Sequence, residues 1–206
     1  MFKLLLLFAH LLGTSLALGA IVATDIRLLR RLADDRVRIA PPNPYVMRLI
    51  TLAMLILYLT GAALIVCGLN ERADYLAANP KLQAKLILIG LLSINALVLH
   101  RYTFPGLARG RRVARWKPRD FLRVAVPVAL SNCLWMYCAF LGIARPWSYS
   151  VSLGFVLGTA AWLFAVTLAG VTALLVVAAQ DRTDAEPGWI DVLKRRLGAV
   201  ATALRT

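Results

Sequence analysis

Five apolar runs divide the chain: about Leu4 to Ala23, Met47 to Leu69, Leu82 to Phe104, Phe121 to Ala144 and Ser150 to Ala179. Polar residues gather between the runs instead of recurring on one face within them. A run of about 20 apolar residues is long enough to cross the hydrocarbon of a bilayer. Each run must be helical, because hydrocarbon offers no partner for bare backbone. The pattern predicts an all-α integral membrane helical bundle of five transmembrane helices over residues 1–180, with residues 181–206 as a cytoplasmic tail. The fifth run is longer than a bilayer needs and should tilt or protrude.

The connections carry their own periodicity. Asp25-Ile26-Arg27-Leu28-Leu29-Arg30-Arg31-Leu32 continues the helical pattern of the first run. Pro41-Pro42-Asn43-Pro44 then breaks it before the second. In the tail, Trp189, Leu193, Leu197, Val200 and Leu204 recur at three- and four-residue spacing, with Lys194, Arg195 and Arg196 off that face. That predicts a C-terminal amphipathic interfacial helix on the inner leaflet, drawn to anionic lipids.

Charge changes the picture from spans to orientation. The stretch Arg27 to Arg48 holds six lysines and arginines, Arg101 to Arg123 holds eight, and the tail from Arg182 holds five. Lys3, Arg72, Lys81, Lys85 and Arg145 fall on the other side. By the positive-inside rule the arginine-rich connections are cytoplasmic, the N-terminus is outside and the C-terminus inside. The arginines after the first run outnumber the one lysine before it, so that run is expected to stay as a membrane anchor rather than a cleaved leader. The expected location is a bacterial-type inner (plasma) membrane. The composition agrees: 60% of the 206 residues are hydrophobic and the mean hydropathy is +0.72, too much apolar surface for a soluble core of this size. The net charge of +14 does not imply nucleic acid, since the basic residues form no stripe interleaved with stacking aromatics.

Candidate chemistry is sparse. The ionisable or strongly polar residues within or at the edges of the runs are His10, Asp25, Lys85 and His100, with Asn95 and Asn132 as polar intramembrane groups. Such residues are expensive in hydrocarbon and mark functional positions or helix-to-helix bonds. Runs one and three both pass from outside to inside, so His10 and Lys85 share the outer half. His10 and His100 differ in depth by roughly 15–20 Å at helical rise, so one iron cannot take both. His10 has a structural alternative, a hydrogen bond to serine or threonine on a neighbouring helix. Lys85 can snorkel outward, and His100 with Arg101 and Tyr102 can anchor an interface. Asp25, at the inner end of run one, can pair with Arg101. Asn95 is a plausible partner for Asn132 across a helix interface. Pro127 removes a backbone donor from run four and can kink it. Cys67, Cys133 and Cys138 lack metal-ligand spacing and suit small apolar packing, although Cys67 and Cys138 could meet in a disulfide. Gly154-x-x-x-Gly158, with Ala161 and Ala165, makes a small-residue face that admits another helix, within the chain or in a homo-oligomer or larger complex.

His10-Leu11-Leu12 with Gly19 and the arginine-rich extension resembles the first span of small multi-pass membrane proteins of the CopD and HemJ type. Lys85-Leu86-Ile87-Leu88-Ile89-Gly90-Leu91-Leu92, with Asn95 and His100-Arg101, resembles their third span, and Thr60-Gly61 their second-span kink. The resemblance covers about the first 105 residues. It implies a haem b or porphyrin site in the outer half between helices one, two and three, with His10 as iron ligand and cofactor-binding residue, Lys85 beside it, and His100 as a further cofactor-binding candidate. Two other functions stay open: a non-catalytic subunit packing through run five, and a small transporter or channel lined by Asp25, Asn95, Asn132 and His100. No phosphate-binding loop, dinucleotide fingerprint or H-E-x-x-H motif is present, so any catalysis must come from the buried groups or a cofactor.

Overall fold

Proline and asparagine set the helix starts. Pro44, Pro80 and Pro118 each open a helix, where the missing N–H costs nothing. Asn43 accepts from Tyr45 N at 2.9 Å, and Asn79 from Leu82 N at 3.0 Å. In the computed structural model, which describes residues 1–32, 41–108 and 116–178, the elements are α1 (Phe2–Leu32), α2 (Pro44–Glu71), α3 (Pro80–Val98), a π turn (Leu99–Thr103), α4 (Phe104–Ala108), α5 (Pro118–Ile143), α6 (Trp147–Ser150) and α7 (Leu153–Ala178). Among the described residues five helices are long and apolar enough to span: Phe2–Arg27, Pro44–Glu71, Pro80–Ala108, Pro118–Ile143 and Leu153–Val177. The chain is an all-α, multi-pass membrane bundle.

The outward faces confirm which solvent the fold was built for. Phe8, Leu11, Leu59 and Trp162 all stand exposed on the bundle surface. In water such a surface would drive aggregation, whereas in lipid it is the contact with the medium. α5 is the central helix: half of its apolar stretch is buried, against 6% of that in α2. α1 and α2 form a closely packed hairpin, and α5 packs against α3 and α7 and touches α1.

Small residues let the hairpin close. Ala17 on α1 and Ala53 on α2 are fully buried. A Cβ at Gly13 would stand 3.2 Å from Ile56 Cγ2, so a larger residue would push the helices apart. The α5–α7 seam is tied by side chain to backbone: Tyr137 Oη donates to Val156 O at 2.9 Å and Cys133 Sγ to Ala160 O at 3.7 Å.

Pro127 lies inside α5, yet the helix is not broken. Proline has no N–H, so the carbonyl four residues back, Arg123 O, loses its helical donor. Thr103 Oγ1 supplies the replacement at 2.9 Å. Asn95 Nδ2 donates to Pro127 O itself, also at 2.9 Å. Both side chains are buried. In a regular α-helix the eight residues from Asn95 to Thr103 overshoot two turns by about 80°. The π turn between them winds more slowly and takes up that overshoot, so both side chains meet α5.

Several expectations change here. Asn95 does not pair with Asn132; it is committed to Pro127. Run three extends to Ala108 through the π turn, which no local signal foretells. Run five starts at Leu153, because Trp147–Ser150 forms a separate short turn ahead of it. All three cysteines are free, so Cys67 and Cys138 form no disulfide. Gly154 and Gly158 meet no atom of the described residues within 4 Å of a would-be Cβ, so they mediate no close approach among those residues. The helical extension past Asp25 is present to Leu32. The amphipathic tail helix over 181–206 lies outside the described residues.

Candidate functional site

The end of the bundle that holds the N-terminus is braced by its loops. Lys3 Nζ pairs with Glu71 Oε1 at 2.6 Å, fixing the top of α1 to the end of α2. Arg72 pairs with Asp74 at 2.8 Å and lies over the Tyr149 ring. The hydrogen bonds from Arg72 hold the Asp74 carboxyl below the usual carboxylate range. Being solvated, this pair contributes little to stability. Gln83 Nε2 donates to Leu76 O and Ala77 O at 3.0 and 2.9 Å, tying the α2–α3 loop to α3.

Lys81 sets the register between α3 and α5. Its Nζ donates to Ala144 O at 3.0 Å, where a cation suits the carbonyl end of a helix. The two helices are antiparallel, so one turn deeper on α3 faces one turn deeper on α5. There Lys85 meets Cys138 and Gly142: the amine lies 3.9 Å from where a Gly142 Cβ would be, and within electrostatic range of the Cys138 thiol. Lys85 is half-buried. Among the described residues no carboxylate pairs with it.

His10 reaches the same region from α1. The close approach at Gly13 and Ala17 carries it against α2, where His10 Nδ1 lies 2.8 Å from Thr60 Oγ1. Its Cε1 lies 3.6 Å from the Cβ position of Gly61. Thr60 also donates to Ile56 O at 2.6 Å. A hydroxyl has one hydrogen; with that hydrogen on the Ile56 carbonyl, Thr60 Oγ1 can only accept from the imidazole. Nδ1 of His10 therefore carries the proton and Nε2 keeps its lone pair. No buried side-chain nitrogen or oxygen lacks a partner among the described residues. Nε2 of His10 and Nζ of Lys85, which make no hydrogen bond, are therefore open to the surroundings. The two are within electrostatic range of each other.

Thr60 and Gly61 thus stand beside His10, Cys138 and Gly142 stand beside Lys85, and the two clusters lie within electrostatic range of each other. Besides the α1, α2 and α3 residues expected from the sequence, α5 stands beside Lys85 through Cys138 and Gly142. The sequence offered Thr60-Gly61 only as a kink. For Cys138 and Gly142 it offered no signal, because the α3–α5 register depends on Lys81.

The other candidates lie elsewhere. His100 is exposed in the π turn near the opposite end of α3. Its Nδ1 donates to Ala96 O at 2.8 Å and its ring meets Phe104 edge-on at 5.3 Å. Asp25 does not pair with Arg101: the ion pairs among the described residues are Lys3–Glu71 and Arg72–Asp74. Among the described residues no three His, Cys, Asp or Glu side chains are grouped to hold a metal ion.

No protein-family model matches the chain, and no curated protein or solved structure matches it.

Proposed function

We propose that the protein binds a haem b or a related porphyrin at the His10–Lys85 site, within the membrane. The observation that carries this is the fixed imidazole: Thr60 holds Nδ1–H and leaves Nε2 with a free lone pair. A histidine that donates its other N–H to a protein oxygen has its ring orientation and tautomer set for ligation. The remaining donor set fits the same group. Among the described residues Lys85 has no ion-pair partner, which suits it to a propionate, and the neighbouring helix faces are apolar. When bound, the macrocycle would supply redox or electron-transfer chemistry. His10 would hold the iron and Lys85 would orient the acidic edge.

The test is a visible spectrum of the protein purified in detergent after expression with a haem supply. A Soret band is expected in the wild type, lost in His10→Ala and weakened in Lys85→Gln. A folded wild type that stays colourless after incubation with excess hemin overturns the reading.

One observation supports a second reading, that the chain also packs against another membrane subunit. Gly154, Gly158, Ala161 and Ala165 form an outward-facing stripe on α7, the kind of surface that lets helices approach closely in lipid. Gly158→Leu is expected to leave the thermal midpoint of the isolated chain unchanged, since nothing lies near the new side chain, while abolishing any stoichiometric partner retained in mild detergent. A drop in the midpoint of the isolated chain would place the stripe inside the fold instead.

A further inference from the structure

Lys3, Arg72, Lys81, Lys85 and Arg145 stand toward the end of the bundle that holds the N-terminus. The carboxylates at that end are Glu71 and Asp74, and both are taken, by Lys3 and Arg72. Lys81, Lys85 and Arg145 are left over. Among the described residues no carboxylate pairs with any of them. The fold gathers these cations at the junction of α3 with the end of α5. Lys81 Nζ donates to Ala144 O at 3.0 Å, and Arg145 is the next residue. Lys85 lies one turn below Lys81 on the same face of α3. Its Nζ is 3.9 Å from the Cβ position of Gly142, one turn before Arg145. Lys85 and Arg145 are both within electrostatic range of Lys81. The backbone keeps the junction in place: Ala144 O also accepts from Trp147 N at 3.2 Å, Arg145 O accepts from Ser148 N at 3.1 Å, and α6 packs against α3. Like charges gathered without a counter-ion repel one another, and a multivalent anion removes that repulsion.

We propose that Lys81, Lys85 and Arg145 bind the head of a membrane amphiphile that carries a phosphate monoester or diphosphate on an apolar tail. Charge selects the head. A phosphate monoester brings about −1.5 to −2 charges and three strong acceptor oxygens at neutral pH. A carboxylate or a phosphodiester brings a single charge and leaves the cluster in excess. The donors also match. Arg145 offers a guanidinium fork, which suits phosphate. Lys81 keeps two of its three hydrogens after the bond to Ala144. Lys85 makes no hydrogen bond among the described residues. Position selects the tail. The cations step down from the exposed Arg145 to the half-buried Lys81 and Lys85, toward apolar surface. Leu86 on α3 and Phe140 and Ile143 on α5 stand exposed there, and the Trp147 ring meets Phe140 edge-on at 5.3 Å. Such a surface faces acyl chains, with the tryptophan at headgroup level. A free phosphate gains nothing from it. Lys85 is shared with the His10 site, whereas Lys81 and Arg145 lie outside it, so they carry the test.

The whole protein is purified in a mild non-ionic detergent without added hemin, so the outcome is independent of the porphyrin reading. Dioleoyl phosphatidic acid is titrated into the micelles in mildly alkaline buffer, and the thermal midpoint is followed. A saturable rise is expected. Dioleoyl phosphatidylglycerol, a diester with one charge, should need about ten-fold more lipid for the same rise, the loss of one charged contact. Inorganic phosphate at the same concentration should give no rise. Arg145→Gln and Lys81→Gln should each raise the half-saturating amount of phosphatidic acid about ten-fold. Lys3→Gln and Arg72→Gln remove the same charge from the same end and should leave that amount unchanged, whatever they do to the midpoint without lipid. If Lys81→Gln fails to fold, Arg145→Gln decides, because its side chain is exposed and bonds to nothing among the described residues. No rise with phosphatidic acid, an equal response to phosphatidylglycerol, a rise with inorganic phosphate alone, or an equal loss in Arg72→Gln each overturns the proposal.

Discussion

Thr103→Val is expected to destabilise the bundle by about 1–3 kcal/mol, the cost of leaving a buried carbonyl without a donor. The substitution preserves shape, so the loss reports the hydrogen bond and not a cavity. The carbonyl at stake is Arg123 O, orphaned by Pro127 and served by Thr103 at 2.9 Å. The decisive comparison is a double-mutant cycle with Pro127→Ala, which restores the N–H inside α5. In the Pro127→Ala background the carbonyl regains its helical partner, so Thr103→Val should cost much less, and the two substitutions should be strongly non-additive. Thermal midpoints in one detergent measure this directly. Additive losses would mean that the threonine serves packing alone. A second consequence concerns the π turn. Deleting one residue within Leu99–Thr103 would restore α-helical winding and carry the following side chains off the α5 seam, so it should be worse than Thr103→Val itself.

Gly68→Ala is the second large effect, about 1–3 kcal/mol for forcing an atom into a filled space. Gly68 is buried near the end of α2, and a Cβ there would overlap the Tyr75 ring. The backbone that carries the ring is held in place. Tyr75 N donates to Arg72 O at 3.0 Å, and Arg72 N donates to Gly68 O at 2.9 Å, so loop and helix end are laced together at this point. A small residue at 75 should relieve the clash: Gly68→Ala in a Tyr75→Ala background is expected to be close to neutral relative to Tyr75→Ala alone. If Gly68→Ala is harmless in the wild type, the loop between α2 and α3 is not held against α2 as described.

Both effects turn on places where local rules are broken and repaired from elsewhere in the chain. Pro127 in mid-helix and Gly68 near a helix end each read as a weakness on their own. Their compensation comes from Thr103, twenty positions away from Arg123, and from the Tyr75 ring in the next loop. The same holds at the candidate site. His10 and Lys85 stood out because charge-capable groups are rare in apolar runs, and a histidine bond to a hydroxyl was foreseeable. That Thr60 is the partner, and that its own hydrogen is already spent on Ile56, depends on how closely two helices approach.

The sequence by itself determined the medium and the number of spanning helices. Length and hydropathy decide whether a segment can leave water, and proline with asparagine decides where a helix begins; both are properties of short windows. It also marked which polar residues would have to find partners. Which partners they found was decided only by the tertiary structure. Asn95 went to Pro127 rather than Asn132, His10 to Thr60, and Gly154 and Gly158 to the outside. In hydrocarbon every outward face is equally apolar, so hydropathy does not tell an inward face from a lipid-facing one. Rotation and register were left to small-residue contacts, single hydrogen bonds and one π turn, whose geometry exists only once the helices are side by side.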